Sequence, residues 1–316
     1  MRSVTFVLVA VALLAAARQQ PAVPQATSDT TGSAAAFAYI PERVYDTNRK
    51  AFSDFEAMLA ELARADVVLV GEQHDDPNTH RLEAAILQGL LRRDIRATVS
   101  LEMFERDAQG ALDGYLDRTI GEEELLKQSR PWPRYATDYR PLVEIASANG
   151  WGVIAANVPR KYASAVAKGS LAALDALAPA ERALIARDIQ CPFDAYYDRF
   201  SETMNSHPMP GIEKQTVEER RAMNERYYFA QCIKDETMAE SIVAELERPD
   251  RKPGPIVHYN GAFHSDFGAG AAARVRRRVP GRRVIVISIL PVENIDAVSP
   301  EGDELKRAEY LVYTVK

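Results

Sequence analysis

The sequence is poor in cysteine and lacks the short motifs that mark several common classes of enzyme. Its 316 residues include two cysteines, too few for a disulfide framework, and no CxxC pair that could hold zinc or a redox couple. No HExxH, GxSxG or P-loop pattern occurs. Basic residues are not in excess either, because 39 Lys and Arg stand against 45 Asp and Glu, for a net charge of −6. This balance argues against a nucleic-acid-binding protein.

Hydrophobic runs long enough to cross a membrane are also missing. The apolar run at residues 4–17 has 14 positions, fewer than the ~20 that a membrane-spanning helix needs. It follows the positive start Met1-Arg2-Ser3 and ends in three alanines, which predicts a signal peptide over 1–17, cleaved near Ala17, with an uncleaved anchor as the alternative. No cysteine follows the run, so there is no lipobox. We therefore expect an exported protein of the periplasm or cell envelope.

The rest of the chain divides into a tether and a folded body. Residues 18–37 are rich in Pro, Ser, Thr, Gln and Ala, a composition typical of a flexible tether. Residues 38–316 are predicted to form a single α/β domain, because short apolar runs alternate with helical patterns. The predicted strands are 66–70, 97–101, 152–156, 255–259 and 283–289, with 309–315 as an edge strand. The clearest helical patterns are 53–63, 77–92, 106–116, 139–149 and 267–278. Continuous apolar strands favour a mostly parallel sheet flanked by helices.

One segment breaks the alternation of strands and helices. Residues 159–248 contain no clear strand, which predicts a helical insertion, or lid, between late strands, with an interruption at 206–211. Cys191 and Cys232 both lie in this insertion. In an oxidising compartment we expect them to be bridged or close, joining two helices, with two quiet thiols as the alternative.

Acidic and histidine side chains follow three of the predicted strands. Glu72 and His74 come just after the first strand, Glu102 ends the second, and His264 follows the fourth. The carboxyl ends of parallel strands meet at one edge of a sheet, where open α/β proteins place their sites. These four side chains are therefore predicted to share one pocket, with carboxylates and imidazoles suited to acid–base or metal chemistry.

Several further polar residues have a structural role that competes with a functional one. Asp75 or Asp76 is expected to cap the helix that begins at Pro77. His80 is expected on a solvated helix face, and His258 in a strand core. The arginine-rich run at 274–283 is expected to be a solvated helix face, with an anion or membrane-surface patch as the alternative.

Five stretches of the sequence together carry a family resemblance. They are GEQHDDPNTHRLEAAIL, VSLEMFERD, VIAANVPRKYA, CIKDETMAESI and HYNGAFHSDFG. Side by side they resemble the ChaN-like haem-binding proteins of the Tiki and erythromycin-esterase superfamily, over roughly residues 50–290. Gly71-Glu72-x-His74 matches the first motif of that superfamily, Gly261-x-x-His264 matches the second, and Glu102 is the acid between them. The resemblance implies an α/β sheet with helical insertions.

The ChaN branch of the resemblance implies haem held by a tyrosine, with dimers that sandwich haem. The candidate haem residues are Tyr197, Tyr196 and Tyr162, in that order, with Arg160 as a partner for a propionate. We therefore expect an exported protein that binds haem or another iron porphyrin and serves haem or iron uptake, together with envelope transport components.

The other branches of the superfamily imply hydrolysis, which is the alternative function. In that reading Glu72, His74, Glu102 and His264 are catalytic, and a divalent metal ion is held by His74, Glu102 and His264. The two functions do not exclude each other, because the helical lid and the sheet edge are separate features.

Overall fold

The computed structural model describes residues 40–206 and 215–316. The predicted signal peptide at 1–17, the tether at 18–37 and most of the interruption at 206–211 lie outside the described residues. Within the described ranges, no helix is both long enough and apolar enough to cross a membrane.

An eight-stranded, mostly parallel sheet organises the described residues. The strands are β1 (Glu42–Asp46), β2 (Ala51–Ser53), β3 (Val67–Glu72), β4 (Thr98–Glu105), β5 (Val153–Asn157), β6 (Ile256–Gly261), β7 (Val284–Val292) and β8 (Tyr310–Val315). Their order across the sheet is β2-β1-β8-β7-β3-β6-β4-β5. Every pairing from β8 to β5 is parallel, whereas β1 pairs antiparallel with both β8 and β2. This arrangement confirms the predicted α/β fold.

Helices cover both faces of the sheet. The α-helices of the described ranges are α1 (Phe55–Leu62), α2 (Pro77–Arg92), α3 (Gln109–Leu116), α4 (Glu122–Ser129), α5 (Tyr135–Asp138), α6 (Arg140–Ala148), α7 (Arg160–Lys168), α8 (Pro179–Arg182), α9 (Ala195–Ser206), α10 (Val217–Leu246) and α11 (Gly270–Arg278). Successive residues of β3 point to opposite faces of the sheet. Val68 and Val70 pack in the core cluster on one face, and Val67 and Leu69 pack in the cluster on the other. The strand is apolar throughout because both of its faces are buried.

The start of α2 forms as its sequence predicts. The Asp76 side chain accepts a hydrogen bond from the Thr79 backbone N–H, and Pro77 takes the first helical position. The cap satisfies a backbone donor that the first helical turn would otherwise leave without a partner. The helix therefore begins directly after the polar turn that carries His74.

The C-terminal strand is not at the edge of the sheet, contrary to the prediction. β8 lies between β7 and β1, and the β1–β2 hairpin continues the sheet beyond it. The hairpin escaped prediction because β2 has only three residues and β1 has a short apolar centre, Val44-Tyr45.

The insertion between β5 and β6 is helical, as expected, but only part of it lies away from the sheet. In the C-terminal half of α10, Met238, Ala239 and Ile242 pack in the same core cluster as Val67 of β3. This half therefore belongs to the layer that covers the sheet. The earlier part of α10, together with α9, extends over the carboxyl ends of the strands.

The described structure contains a disulfide between Cys191 and Cys232, with their Cα atoms 5.8 Å apart. Cys232 lies in α10, but Cys191 lies in the non-helical segment before α9. The two cysteines are bridged, but the prediction that the bond joins two helices was wrong. It joins α10 to a loop, because α9 begins only at Ala195.

The arginine-rich run is not a wholly solvated face. Arg274 is 4% exposed, and its Nε lies 3.1 Å from a carboxylate oxygen of Glu236 on α10. Arg277 also pairs with Glu236. The prediction was wrong for Arg274 because α10 presents two buried carboxylates, Asp235 and Glu236, to this side of α11.

Candidate functional site

The carboxyl ends of β3, β4 and β6 open into one cleft of about 710 Å³. Glu72, His74, Glu102 and His264 all contribute to its lining. The structure thus brings together the four side chains that the strand pattern placed at this edge. The cleft lies within the 300–1,000 Å³ range that is typical of small-molecule sites.

His74 and Glu72 form the first histidine–carboxylate couple. The Nδ1 atom of His74 contacts Glu72 Oε1, which also accepts a hydrogen bond of 3.0 Å from the Tyr139 hydroxyl. Burial favours the neutral imidazole, but the hydrogen bond to Glu72 outweighs it and raises the pKa of His74 above its usual value. The Nε2 atom lies on the side of Gly261, where a Cβ would come within 2.6 Å of it. Glycine is therefore required at 261 for this placement of the ring.

His264 forms a second couple with two buried carboxylates. Its Nε2 lies 3.2 Å from Glu102 Oε1, and its Nδ1 lies 2.6 Å from Asp235 Oδ1. Burial disfavours the charged imidazole, but Glu102 and Asp235 outweigh it and raise the pKa of His264 to about 9. Although burial opposes ionisation of Glu102, the charge of His264 holds the pKa of that carboxyl well below its usual value. The Glu102 Oε2 atom accepts the Gly261 N–H at 2.9 Å.

Asp235 is a site residue that sequence reasoning missed. It is fully buried on α10 and holds both His264 and the Tyr196 hydroxyl, at 2.6 and 2.8 Å. The only local signal was an acidic pair, Asp235-Glu236, between Ile233 and Met238. A buried acidic residue must have a partner, but its partner lies 29 positions further along the chain.

Aromatic and cationic side chains form much of the remaining cleft wall, together with the acidic residues Glu202 and Asp266. The aromatic residues are Trp132, Phe200, Phe263 and Phe267, and the cationic residues are Arg199, Lys234 and Arg307. Arg307 pairs with Asp266 at 3.2 Å, and Arg199 lies over the Phe267 ring, 4.6 Å from its centroid. Burial raises the pKa of Asp266 to about 6, against the opposing effect of Arg307. The cleft thus combines flat apolar surface with positive charge.

The family model for haem-binding uptake proteins of the Tiki superfamily, ChaN, matches residues 58–275. The chain belongs to the ChaN family.

One solved structure agrees with this assignment at the level of fold, and two others are more distant. A structure of ChaN from Campylobacter jejuni with cofacial haem has a TM-score of 0.61 and 17% identity, covering 87% of this chain and 97% of that one. An erythromycin esterase, EreC, in an open conformation has a TM-score of 0.44 and 15% identity, covering 87% and 83% of the two chains. A succinoglycan biosynthesis protein has a TM-score of 0.44 and 12% identity, covering 75% and 69%. No curated protein matches the chain.

In this ChaN-family chain, Tyr196 and Tyr197 lie beside the cleft and do not line it. Tyr196 is buried and donates its hydroxyl to Asp235. Burial, with a further contribution from the Asp235 charge, raises the pKa of Tyr196 well above its usual value. The Tyr197 ring packs edge-on against Phe193 and Tyr228, at centroid distances of 4.6 and 5.0 Å. Their role as haem ligands stays a prediction.

Tyr162 and Arg160 lie away from the cleft, at the start of α7. The Tyr162 hydroxyl donates to Glu181 at 3.1 Å. Arg160 lines a separate depression of about 450 Å³ together with Glu105 and Arg130. Their role in haem binding also stays a prediction, and the structure does not bring them to the four residues of the sheet edge.

His80 is buried, contrary to the prediction of a solvated face. It is 4% exposed, with Nδ1 3.0 Å from Glu83 Oε2 and 3.4 Å from Glu72 Oε2. The prediction was wrong because the first two turns of α2 pack beneath the end of β3. By contrast, His258 is the buried core residue that was expected, hydrogen-bonded to Ser100 at 2.9 Å.

Glu72, His80 and Glu83 form a second group that could hold a metal ion, besides the predicted ligands, whose role stays a prediction. Glu72, His80 and Glu83 are all buried, and each offers a ligand atom within 4.8 Å of those of the other two. The predicted ligands His74, Glu102 and His264 line the cleft above this group. Burial, followed by the charge of Glu72, raises the pKa of Glu83 well above its usual value.

Proposed function

We propose that this ChaN-family chain binds haem in the cleft at the carboxyl end of the sheet. The observation that carries the proposal is the composition of the cleft wall. Trp132, Phe200 and Phe263 offer flat apolar surface to a porphyrin, and Arg199 and Lys234 offer positive charge to its propionates. When bound, the group would supply ferric iron with open coordination positions.

The donor groups of the cleft fit an iron porphyrin with an imidazole ligand. Histidine is a common axial ligand of haem iron. A ligating imidazole typically donates its other N–H to a carboxylate, and Nδ1 of His74 contacts Glu72 in this way. The His74 side chain is also half-exposed, and it lines the cleft. We therefore assign the iron ligand to His74.

The tyrosines provide the competing site for the iron. Tyr197 of α9 is half-buried beside Phe193 and Tyr228. A haem bound there would rest on an exposed aromatic surface, since Phe193 is 57% exposed. Tyr196 would first have to give up its hydrogen bond to Asp235. Ligation by Tyr197 or by Tyr196 would place the iron away from His74. Mutation of each residue in turn can distinguish these three ligands.

The experiment is a titration with haemin, followed by visible absorption, on four variants. His74→Ala is expected to weaken binding at least ~10-fold and to change the spin-state bands, because the iron loses its ligand. Tyr197→Phe and Tyr196→Phe keep the ring and remove only the oxygen, and we expect them to bind like the parent. Tyr162→Phe is the matched control, because its hydroxyl contacts Glu181 outside the cleft. Loss of the spectrum in Tyr197→Phe with retention in His74→Ala would contradict the assignment.

A second candidate function is ester or amide hydrolysis in the same cleft. The observation that favours it is the pair of histidine–carboxylate couples within one water-accessible cavity. The Nε2 atom of His74 could take a proton from an attacking water and return it to the leaving group, while Glu72 orients the ring. Lys234 and the positively charged His264 would stabilise the developing oxyanion.

Hydrolysis can be tested separately from haem binding. We expect turnover of p-nitrophenyl acetate above background, reduced at least ~100-fold in His74→Ala. Equal rates in the parent and this variant would contradict the catalytic role. Repeating the assay with a chelator tests whether hydrolysis depends on a divalent metal ion, as it would if His74, Glu102 and His264 held one.

We further propose that the chain is exported and serves haem or iron uptake in the periplasm or cell envelope. The Cys191–Cys232 disulfide supports export, because disulfides persist mainly in oxidising compartments. Mass spectrometry of the secreted protein should give a mature N-terminus near residue 18.

We also propose a haem-dependent dimer, which is expected to appear as a doubling of mass in light scattering. Transport components of the envelope are the proposed partners.

A further inference from the structure

A buried cluster of ionisable groups lies directly beneath the cleft. His80 of α2 sits between Glu72 of β3 and Glu83 of α2, and these three residues are 4%, 2% and 0% exposed. Asp138 and Tyr139 enclose the cluster from the side of α5 and α6. None of the roles proposed for haem binding uses His80 or Glu83.

The contacts of His80 require a proton on its Nε2 nitrogen. Its Nε2 lies 3.1 Å from the backbone carbonyl of His74, which can only accept, so Nε2 donates. In the neutral ring Nδ1 then presents a lone pair. That lone pair faces Glu83 Oε2 at 3.0 Å and Glu72 Oε2 at 3.4 Å. A lone pair directed at two carboxylate oxygens requires a proton or a metal ion between them.

Two carboxylate oxygens of the cluster have no hydrogen-bond partner among the described residues. They are Glu72 Oε2 and Glu83 Oε1, both buried. Burying an ionised oxygen without a partner is costly, so most such atoms in native proteins are satisfied. Within residues 40–206 and 215–316, the permanent cation that contacts the cluster is Arg134, which pairs with Asp138 at 2.9 Å. The three carboxylates therefore exceed this positive charge.

We propose that Glu72, His80 and Glu83 bind a divalent transition-metal ion, Zn²⁺ or Mn²⁺. One imidazole nitrogen and carboxylate oxygens form a donor set that suits these ions. In a tetrahedral zinc site with bonds of about 2.0–2.1 Å, ligand atoms lie about 3.3 Å apart. The Nδ1–oxygen separations of 3.0 and 3.4 Å lie close to this value. The ion would balance the charge of Glu72 and of Glu83, whose carboxyl group must lose its proton to bind it.

The groups around the cluster orient its ligands in the way that metal sites require. The second nitrogen of His80 donates to the His74 carbonyl, which holds the ring and its tautomer. The Tyr139 hydroxyl donates to the other oxygen of Glu72. Because that oxygen also contacts His74, an ion bound by Glu72 would fix the orientation of the His74 ring in the cleft. The ion is thus a positioning element for the cleft, beyond haem binding itself.

Metal content and affinity test the site directly. The haem-free protein is stripped with a chelator and equilibrated separately with Zn²⁺, Mn²⁺ and Mg²⁺, and bound metal is measured by plasma mass spectrometry after desalting. We expect about one Zn²⁺ or Mn²⁺ per chain and no retained Mg²⁺. His80→Asn and Glu83→Gln should each lower the affinity at least ~100-fold, because each removes a ligand.

Two matched variants distinguish a metal ion in this cluster from one held by the cleft histidines. His74 contacts Glu72 but is not one of the three proposed ligands, so His74→Gln should retain the ion. His258 is a buried histidine outside the cluster, so His258→Asn should retain it as well. Circular dichroism of Glu83→Gln checks that the loss of metal is not a loss of fold, since this neutral isostere keeps the shape. Two results would overturn the proposal. One is a parent protein that binds neither ion, which means that a proton occupies the cluster. The other is loss of metal in His74→Gln with retention in His80→Asn.

Discussion

Removing the Cys191–Cys232 disulfide should destabilise the fold by a predictable amount. The two cysteines are 41 positions apart, and the chain between them includes α9 and the first half of α10. A cross-link that closes a loop of this length removes enough entropy from the unfolded chain to contribute about 4 kcal/mol. The variant Cys191→Ser/Cys232→Ser avoids a free thiol beside Arg274 and therefore isolates the effect of the bond.

Urea unfolding followed by circular dichroism measures this difference. We expect the free energy of unfolding to fall by about 3–5 kcal/mol, with a lower urea midpoint. The parent, reduced and alkylated, should match the double variant and provides the control. Haemin affinity should also fall, because α9 carries Arg199 and Phe200 of the cleft wall. A loss below about 1 kcal/mol, or two reactive thiols in the untreated native protein, would refute the reasoning.

Two further predictions concern the histidines of the cleft. His264→Gln should cost about 3–5 kcal/mol of stability in urea unfolding, because it leaves Glu102 and Asp235 buried without their cation. The pKa of His264 is raised from 6.5 to about 9, so its contribution to the free energy of unfolding should be complete below pH 6.5 and lost as the pH rises through 9. The variant should lack this pH dependence. The same dependence of stability on pH in parent and variant would contradict the ion cluster. Gly261→Ala should weaken haemin binding, because its Cβ would displace the His74 ring, and this variant should unfold near the urea midpoint of the parent. Haemin affinity equal to that of the parent would contradict the placement of the ring.

The central sheet could be predicted because its strands carry a local signal. Val67–Val70 is apolar at every position because both faces of β3 are buried, and the following Gly71-Glu72 marks the carboxyl end. Once the strands are known to be parallel, the rule that their carboxyl ends meet brings Glu102 and His264 to the same cleft. The helix cap at Asp76 is local as well.

The features that escaped prediction depend on partners distant in sequence. Asp235 and Glu236 look like ordinary surface acids of a long helix, and their burial depends on His264 and on Arg274 of α11. His80 could have been recognised, because it shares the buried face of α2 with Glu83 and Leu87, at positions i+3 and i+7. A histidine can be buried on such a face when an acidic partner is buried beside it, as Glu83 is beside His80.

A crystal structure of the chain with haemin bound tests the central claim most directly. The account predicts a porphyrin in the cleft at the carboxyl ends of β3, β4 and β6, against Phe263, with its iron within bonding distance of His74 Nε2. Iron bonded to the Tyr197 oxygen, with the cleft free of porphyrin, would contradict it.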